Sequence, residues 1–177
     1  MSIIKKGTVF IIEGLWGTGK TTYARRLAAQ KRALVIREPH HLRARRGGLA
    51  PRVLTEWYLR QHLRNLHRAV HAAIRGRNAV IERSPLSSVA FARAYLDMRI
   101  PLRPIISEFL AARRELGRKI VVVHLQPHTL AAVLRQLNRK RGVREFAVPA
   151  RIAAFDRNLS AGLARLKRAG AITLLAP

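Results

Sequence analysis

Eight consecutive residues, Gly14-Leu15-Trp16-Gly17-Thr18-Gly19-Lys20-Thr21, follow the spacing G-x-x-x-x-G-K-[ST]. The chemistry of that spacing is phosphate binding. Glycines let the backbone fold tightly, so that its N–H groups converge on phosphate oxygens. A helix opening at Lys20 adds its positive N-terminal end. The Lys20 ammonium reaches the β- and γ-phosphates, and the Thr21 hydroxyl is placed to ligate Mg²⁺. The expected nucleotide cradle is therefore Gly14, Leu15, Trp16, Gly17, Thr18, Gly19, Lys20, Thr21 and the following Thr22.

Acidic residues are scarce, nine against 35 Lys and Arg, so the place of each one is informative. Glu13, Glu38 and Glu82 all fall at the ends of short apolar runs. Carboxylates left at such positions hold Mg²⁺ or orient arginines, with ordinary ion pairing as the alternative. Glu82 is assigned a Mg²⁺ contact through water, because Mg²⁺ keeps several of its waters. Arg83 follows it, and its planar fork suits bridging donor and acceptor phosphates. Arg37 and Glu38 divide the possibilities for an acceptor. A monophosphate needs an arginine clamp and no base; a 5′-hydroxyl needs a carboxylate base, for which Glu38 is the candidate.

These groups need elements to position them. Short, β-branched, nearly continuous apolar runs at 8–12, 33–36, 79–81, 120–125 and 172–175 read as strands covered on both faces. Helical spacing fills 20–30, 51–75, 86–98, 104–116, 129–140 and 150–168. Pro51, Pro104 and Pro149 stand near helix starts, and Gly76, Gly117 and Gly170 follow helix ends. The alternation predicts an α/β fold of three layers, α/β/α, with a five-stranded parallel sheet and right-handed crossovers. Residues 1–177 form one expected domain. In such a sheet, ligands bind at the C-terminal ends of the strands, where the three glutamates lie.

Four blocks carry a resemblance. Glu13-Gly14-Leu15-x-Gly17-x-Gly19-Lys20-Thr21-Thr22 resembles the thymidylate kinase phosphate loop. Arg37-Glu38-Pro39 resembles that family's R-E-P segment, and Glu82-Arg83-x-x-x-Ser87-Ser88-Val89-Ala90-Phe91 is similar to its D-R-x-x-x-S-S-x-A-Y run. Leu125-Gln126-Pro127, a helix, and Arg139-Lys140-Arg141-Gly142-Val143-Arg144 look like its fourth strand and lid. Trp16 departs from the family's Asp, Glu82 from its Asp, His40-His41 from Gly-Gly, and Ala92 from Gln. Glu82-Arg83-Ser84 and the lid-like segment also resemble deoxynucleoside kinases.

The resemblance implies a P-loop NTPase fold with a short arginine-bearing lid near 138–147, and MgATP-dependent transfer to dTMP, giving dTDP. A deoxynucleoside kinase acting on a 5′-hydroxyl is the alternative. It implies that lid arginines, here Arg139 and Arg141, reach the transferring phosphoryl group. It implies an acceptor phosphate held by Arg60 or Arg64, and Ser88 and Phe91 at the acceptor, Phe91 stacking on the base. It also implies a homodimer, which the apolar faces of 54–74 and 86–96 permit.

The net charge of +26 favours phosphate-bearing partners of any size. One mononucleotide does not require so many arginines, so a basic P-loop protein that binds nucleic acid or acts on its ends is the alternative from another class. No RRM, KH or zinc-finger pattern supports it. Cysteine is absent, which excludes disulfides and Cys-ligated zinc. His67 and His71 are four apart but lack an evident third metal ligand. No apolar run approaches the roughly 18 residues of a membrane span, and the expectation is a soluble, cytoplasmic protein.

Overall fold

A computed structural model of the chain describes residues 5–39, 50–127, 129–139 and 146–175. The described elements run β1 (Val9–Gly14), α1 (Lys20–Lys31), β2 (Leu34–Ile36), α2 (Pro51–Ile74), β3 (Ala79–Glu82), α3 (Pro85–Tyr95), α4 (Leu102–Leu116), β4 (Ile120–Leu125), α5 (Leu130–Arg139), α6 (Pro149–Arg168) and β5 (Ile172–Leu175). The five strands form one parallel sheet in the order β2-β3-β1-β4-β5. The chain steps from β1 outward to β2, then travels the opposite way to β3, β4 and β5. Right-handed crossovers therefore put α1 on one face and the later helices on the other.

Side chains along each strand alternate between those faces. Val9, Ile11, Ala79, Ile81, Ile120 and Val122 join the larger core, with Leu66, Ala69, Phe109, Phe155 and Leu163. Ile12, Val80, Val123 and Leu125 point to the smaller one, where Ala24 and Ala28 of α1 pack. The apolar faces of α2 and α3, open to a dimer in the sequence reading, are used here within the chain. Leu66, Ala69, Val70, Leu86 and Ala90 are all buried in the larger core.

Element ends differ modestly from expectation. β1 and β3 run on through Glu13-Gly14 and Glu82, because ladder pairing continues beyond the apolar run: Glu13 lies opposite His124, and Ile12 opposite Glu82. α3 stops at Tyr95, and Asp97 then takes a left-handed φ of 49°. α4 begins at Leu102, two residues before Pro104, since a proline in the first turn gives up only an N–H that lacks a helical partner. Of the lid-like segment, residues 140–145 lie outside the described residues, Arg141 among them. No described helix is long and apolar enough to cross a membrane.

Candidate active site

The phosphate loop joins β1 to α1 at the C-terminal edge of the sheet. Gly14, Gly17 and Gly19 take φ of 139°, 76° and 82°. A side chain at Gly14 would run into the Leu125 carbonyl of the neighbouring strand, and one at Gly17 would meet Gln136 of α5 at 2.8 Å. The glycines therefore allow the close approach of β4 and α5 as well as the turn itself. A cleft of about 260 Å³ opens beside the loop, lined by Gly17, Thr18, Gly19, Gln126, Pro127 and Val133. Arg139 ends α5, the helix over the loop, and is exposed. Thr22 is exposed on the first turn of α1.

Lys20 is buried, and its ammonium donates back to the Leu15 carbonyl. Burial, helped by the nearby Arg83 cation, pulls its pKa from 10.5 down to about 7; Glu38, Glu13 and Glu82 oppose the fall. An arriving phosphate supplies the missing counter-charge. Thr21 Oγ1 donates to Glu82 Oε2 at 3.0 Å. The other oxygen, Glu82 Oε1, is buried with no partner among the described residues. An unpaired carboxylate oxygen beside a hydroxyl, at the end of the phosphate loop, is a donor set that fits Mg²⁺.

Arg83 sits at the centre of the edge, 3% exposed and with a φ of 67°. That left-handed backbone costs a β-bearing residue about 1–2 kcal/mol. Glu13 stabilises it from below. This fully buried carboxylate accepts the Ser84 N–H and the Ser87 hydroxyl, both at 2.7 Å. Ser84 also caps α3 by accepting from the Leu86 N–H. Glu13 therefore serves as an anchor of the β3–α3 junction, with no arginine ion-paired to it among the described residues. Above it, Arg83 Nη1 donates to the Gly14 carbonyl and to Ser87 Oγ, both at 3.2 Å. Arg83 Nε lies 2.8 Å from Glu38 Oε1 in an ion pair.

Glu38 is half-exposed at the mouth of this group. Desolvation would raise its pKa, but Arg83, then Lys20 and His62, outweigh it and hold the carboxyl below its ordinary value. Arg37, next to it, is exposed. Arg60 and Arg64 are exposed on α2, on the side of that helix away from its buried face. The buried face presents His62 and Asn65 instead. Asn65 Nδ2 donates to the Arg37 carbonyl at 3.2 Å, tying α2 to the end of β2. His62 is buried and interacts electrostatically with Glu38 and Arg83. Burial, ahead of the opposing Glu38 and the reinforcing Arg83, pushes its pKa down to about 4, and its Nδ1 has no partner among the described residues. Both are polar residues set in the apolar stripe of a long helix, the signal by which the sequence marks them.

The Trp16 side chain joins an aromatic cluster. Its ring packs 4.9 Å from Phe155, stacks at 6.3 Å on Phe146, and meets Tyr95 and Phe91 edge-on. The Arg83 guanidinium lies 5.4 Å from its centroid. Phe91 is stacked on Tyr95 at 4.8 Å, so one of its faces is already used. Ser88 is buried, and its Oγ lacks a partner among the described residues.

Behind the phosphate loop, His124 and Asp156 approach to 3.8 Å, and burial lowers the His124 pKa. His67 pairs with Glu108 at 2.9 Å, and the described residues contain no cluster of three metal-binding side chains.

A family model for the AAA domain matches residues 9–161. The chain belongs to the AAA domain family. Similar solved structures agree with the layout. The YorR protein of Bacillus subtilis, in complex with phosphorylated GDP, is 16% identical, with a TM-score of 0.61 over 96% of this chain and 85% of that one. Deoxyadenosine kinase from M. mycoides with bound dATP is 11% identical, with a TM-score of 0.61 over 96% and 90%. Thymidylate kinase from Candida albicans is 13% identical, with a TM-score of 0.65 over 97% and 84%. No curated protein is similar enough in sequence to count as a relative. This AAA domain thus has the P-loop fold of nucleotide and nucleoside kinases.

Proposed function

We propose that the protein transfers the γ-phosphoryl group of ATP to the 5′-hydroxyl of a deoxynucleoside. The observation that carries this is Glu38, half-exposed and ion-paired to the buried Arg83, beside Lys20 and the Thr21–Glu82 pair. A hydroxyl nucleophile must lose a proton, and a carboxylate held ionised at the site mouth is the group to take it. The O5′ forms its bond to the γ-phosphorus, the bond from that phosphorus to the β,γ-bridging oxygen breaks, the proton passes to Glu38, and ADP leaves. Lys20 and the loop N–H groups stabilise the charge on the phosphates. Thr21 and Glu82 would hold Mg²⁺, which neutralises the β- and γ-oxygens when bound.

Transfer to dTMP is the second reading, favoured by the order of the four sequence blocks and consistent with the shared thymidylate kinase fold. Against it, two of the arginines expected to clamp an acceptor phosphate, Arg60 and Arg64, lie on the exposed side of α2, and Arg83 already faces an anion; the third, Arg37, is exposed next to Glu38. A coupled ADP-release assay with MgATP separates the readings. Turnover of thymidine or deoxycytidine, lost in Glu38→Gln, is expected. Turnover of dTMP alone, unaffected by Glu38→Gln, overturns the hydroxyl assignment in favour of thymidylate kinase.

A further inference from the structure

The α2 helix has two polar faces with different purposes. One is turned inward and carries His62 and Asn65. The other is exposed and carries Arg60, Arg64, His67, Arg68, His71 and Arg75. At ~100° per residue, these six fall within about a 100° sector, nearly opposite the buried residues Leu66, Ala69 and Ala73. From Arg60 to Arg75 they extend about 22 Å along the axis. The sequence holds no acid between Glu56 and Glu82. Two acids lie on or against α2, and both are engaged: Glu56 with Arg52 and Glu108 with His67.

The stripe ends in a groove. A cavity of about 370 Å³ lies between the end of α2 and the start of the edge strand β2. It is lined by the apolar Leu34 and Ala72 and by Arg68, His71, Arg75 and Arg77. Because α2 runs back along a parallel sheet, this groove is at the opposite end of β2 from Glu38. It is separate from the phosphate loop. A cation in a last helical turn complements about half a negative charge of the helix end, which accounts for one arginine and not for five.

At the other end of the stripe stands Trp57, half-buried and edge-on to Tyr58 at 5.0 Å, in the same sector as the arginines. A basic track with an aromatic ring at one end and a partly apolar groove at the other suits a chain of phosphates whose bases and sugars need surfaces to lie on.

We propose that this face of α2, from Trp57 to the Arg68–Arg75–Arg77 groove, binds single-stranded nucleic acid. The arginines contact backbone phosphates, and Trp57 stacks on a base. The site goes beyond the phosphotransferase reading and does not depend on it.

The test is fluorescence anisotropy of the full chain with a labelled 20-nucleotide single strand across a salt series. Two triple variants with equal charge change are compared: Arg68→Gln/Arg75→Gln/Arg77→Gln at the groove that ends α2 (the α2 triple), and Arg165→Gln/Lys167→Gln/Arg168→Gln on α6. The α2 triple is expected to weaken binding at least tenfold at 150 mM salt. It should also flatten the log-affinity against log-salt slope by about two, at ~0.7 per lost contact. The α6 triple should shift the affinity less than threefold. Trp57→Ala should weaken binding at least fivefold with little change in that slope. Equal weakening by both triples, absence of binding at 150 mM salt, or a duplex of the same length bound as tightly as the single strand each overturns the proposal. Binding is read without ATP, so a failed kinase assay leaves this test intact, and a failed binding test leaves the kinase reading intact.

Discussion

Lys20 shows how one residue trades stability for chemistry. Its ammonium is buried, and that burial, more than the nearby Arg83 cation, lowers its pKa to about 7 against the pull of three carboxylates. The cost is borne by the unliganded protein and relieved when phosphate arrives. Replacing Lys20 with Met removes the buried cation and keeps the volume. Lys20→Met is therefore expected to raise the unliganded thermal midpoint by a few degrees while lowering phosphoryl transfer at least ~100-fold. Differential scanning calorimetry and the ADP-release assay read the two effects; a lowered midpoint would show that the lysine stabilises the resting fold. Proton linkage gives the same residue a second signature. Above about pH 7 the free lysine is increasingly neutral, and binding a polyphosphate restores its charge. ATP binding at pH 8 should take up a proton, measured by calorimetry in buffers of different ionisation enthalpy. No uptake would contradict the depressed pKa.

At the scale of elements, the β3–α3 junction decides the site. The strand end, the left-handed Arg83 and the capped start of α3 are joined by Glu13 from the neighbouring strand. Glu13→Ala leaves the Ser84 N–H and the Ser87 hydroxyl buried without their acceptor, at about 1–3 kcal/mol for each group. A destabilisation of about 2–6 kcal/mol is expected, with turnover reduced because Arg83 loses its support. Glu13→Gln keeps an acceptor for the Ser84 N–H and lets the amide donate to Ser87, so most of the stability should return. Denaturant unfolding of the two variants distinguishes this anchor from a metal ligand. If Glu13→Gln is as unstable as Glu13→Ala, or raises the Mg²⁺ requirement, the hydrogen-bonding account fails.

Among the described residues, the groups whose pKa is lowered push stability in one direction with pH; Tyr95, raised by burial to about 12, acts the other way only above its ordinary value of 10. Lys20, His62, His124 and Glu38 each bind a proton less readily in the fold than in the unfolded chain. The unfolded state therefore binds more protons, and unliganded stability rises with pH. His62 acts between its folded value of about 4 and its ordinary 6.5, and Lys20 between about 7 and 10.5. The thermal midpoint should climb from pH 4 to pH 6.5 and again from pH 7 to pH 9. His62→Gln should flatten the first rise and Lys20→Met the second. A midpoint that falls over pH 7–9 would refute the burial of Lys20 as its dominant influence.

The sequence by itself determined what depends on neighbours along the chain. The phosphate loop is legible because Gly14, Gly17, Gly19, Lys20 and Thr21 do their work through local backbone shape. The parallel sheet is legible because doubly covered strands must be apolar at every position, and the right-handed rule then sets which helices share a face. Tertiary structure decided what depends on groups distant in sequence. Arg83 faces Glu38, 45 positions away, and Glu13 reaches Ser84 and Ser87. Their positions at the ends of apolar runs could place those acids at the sheet edge but could not pair them. It was likewise the packing of α2 that turned His62 and Asn65 inward and Arg60 and Arg64 outward. A helix carrying polar residues on two sides has two candidate inner faces, and only burial of Leu66, Ala69 and Ala73 against the sheet chooses between them.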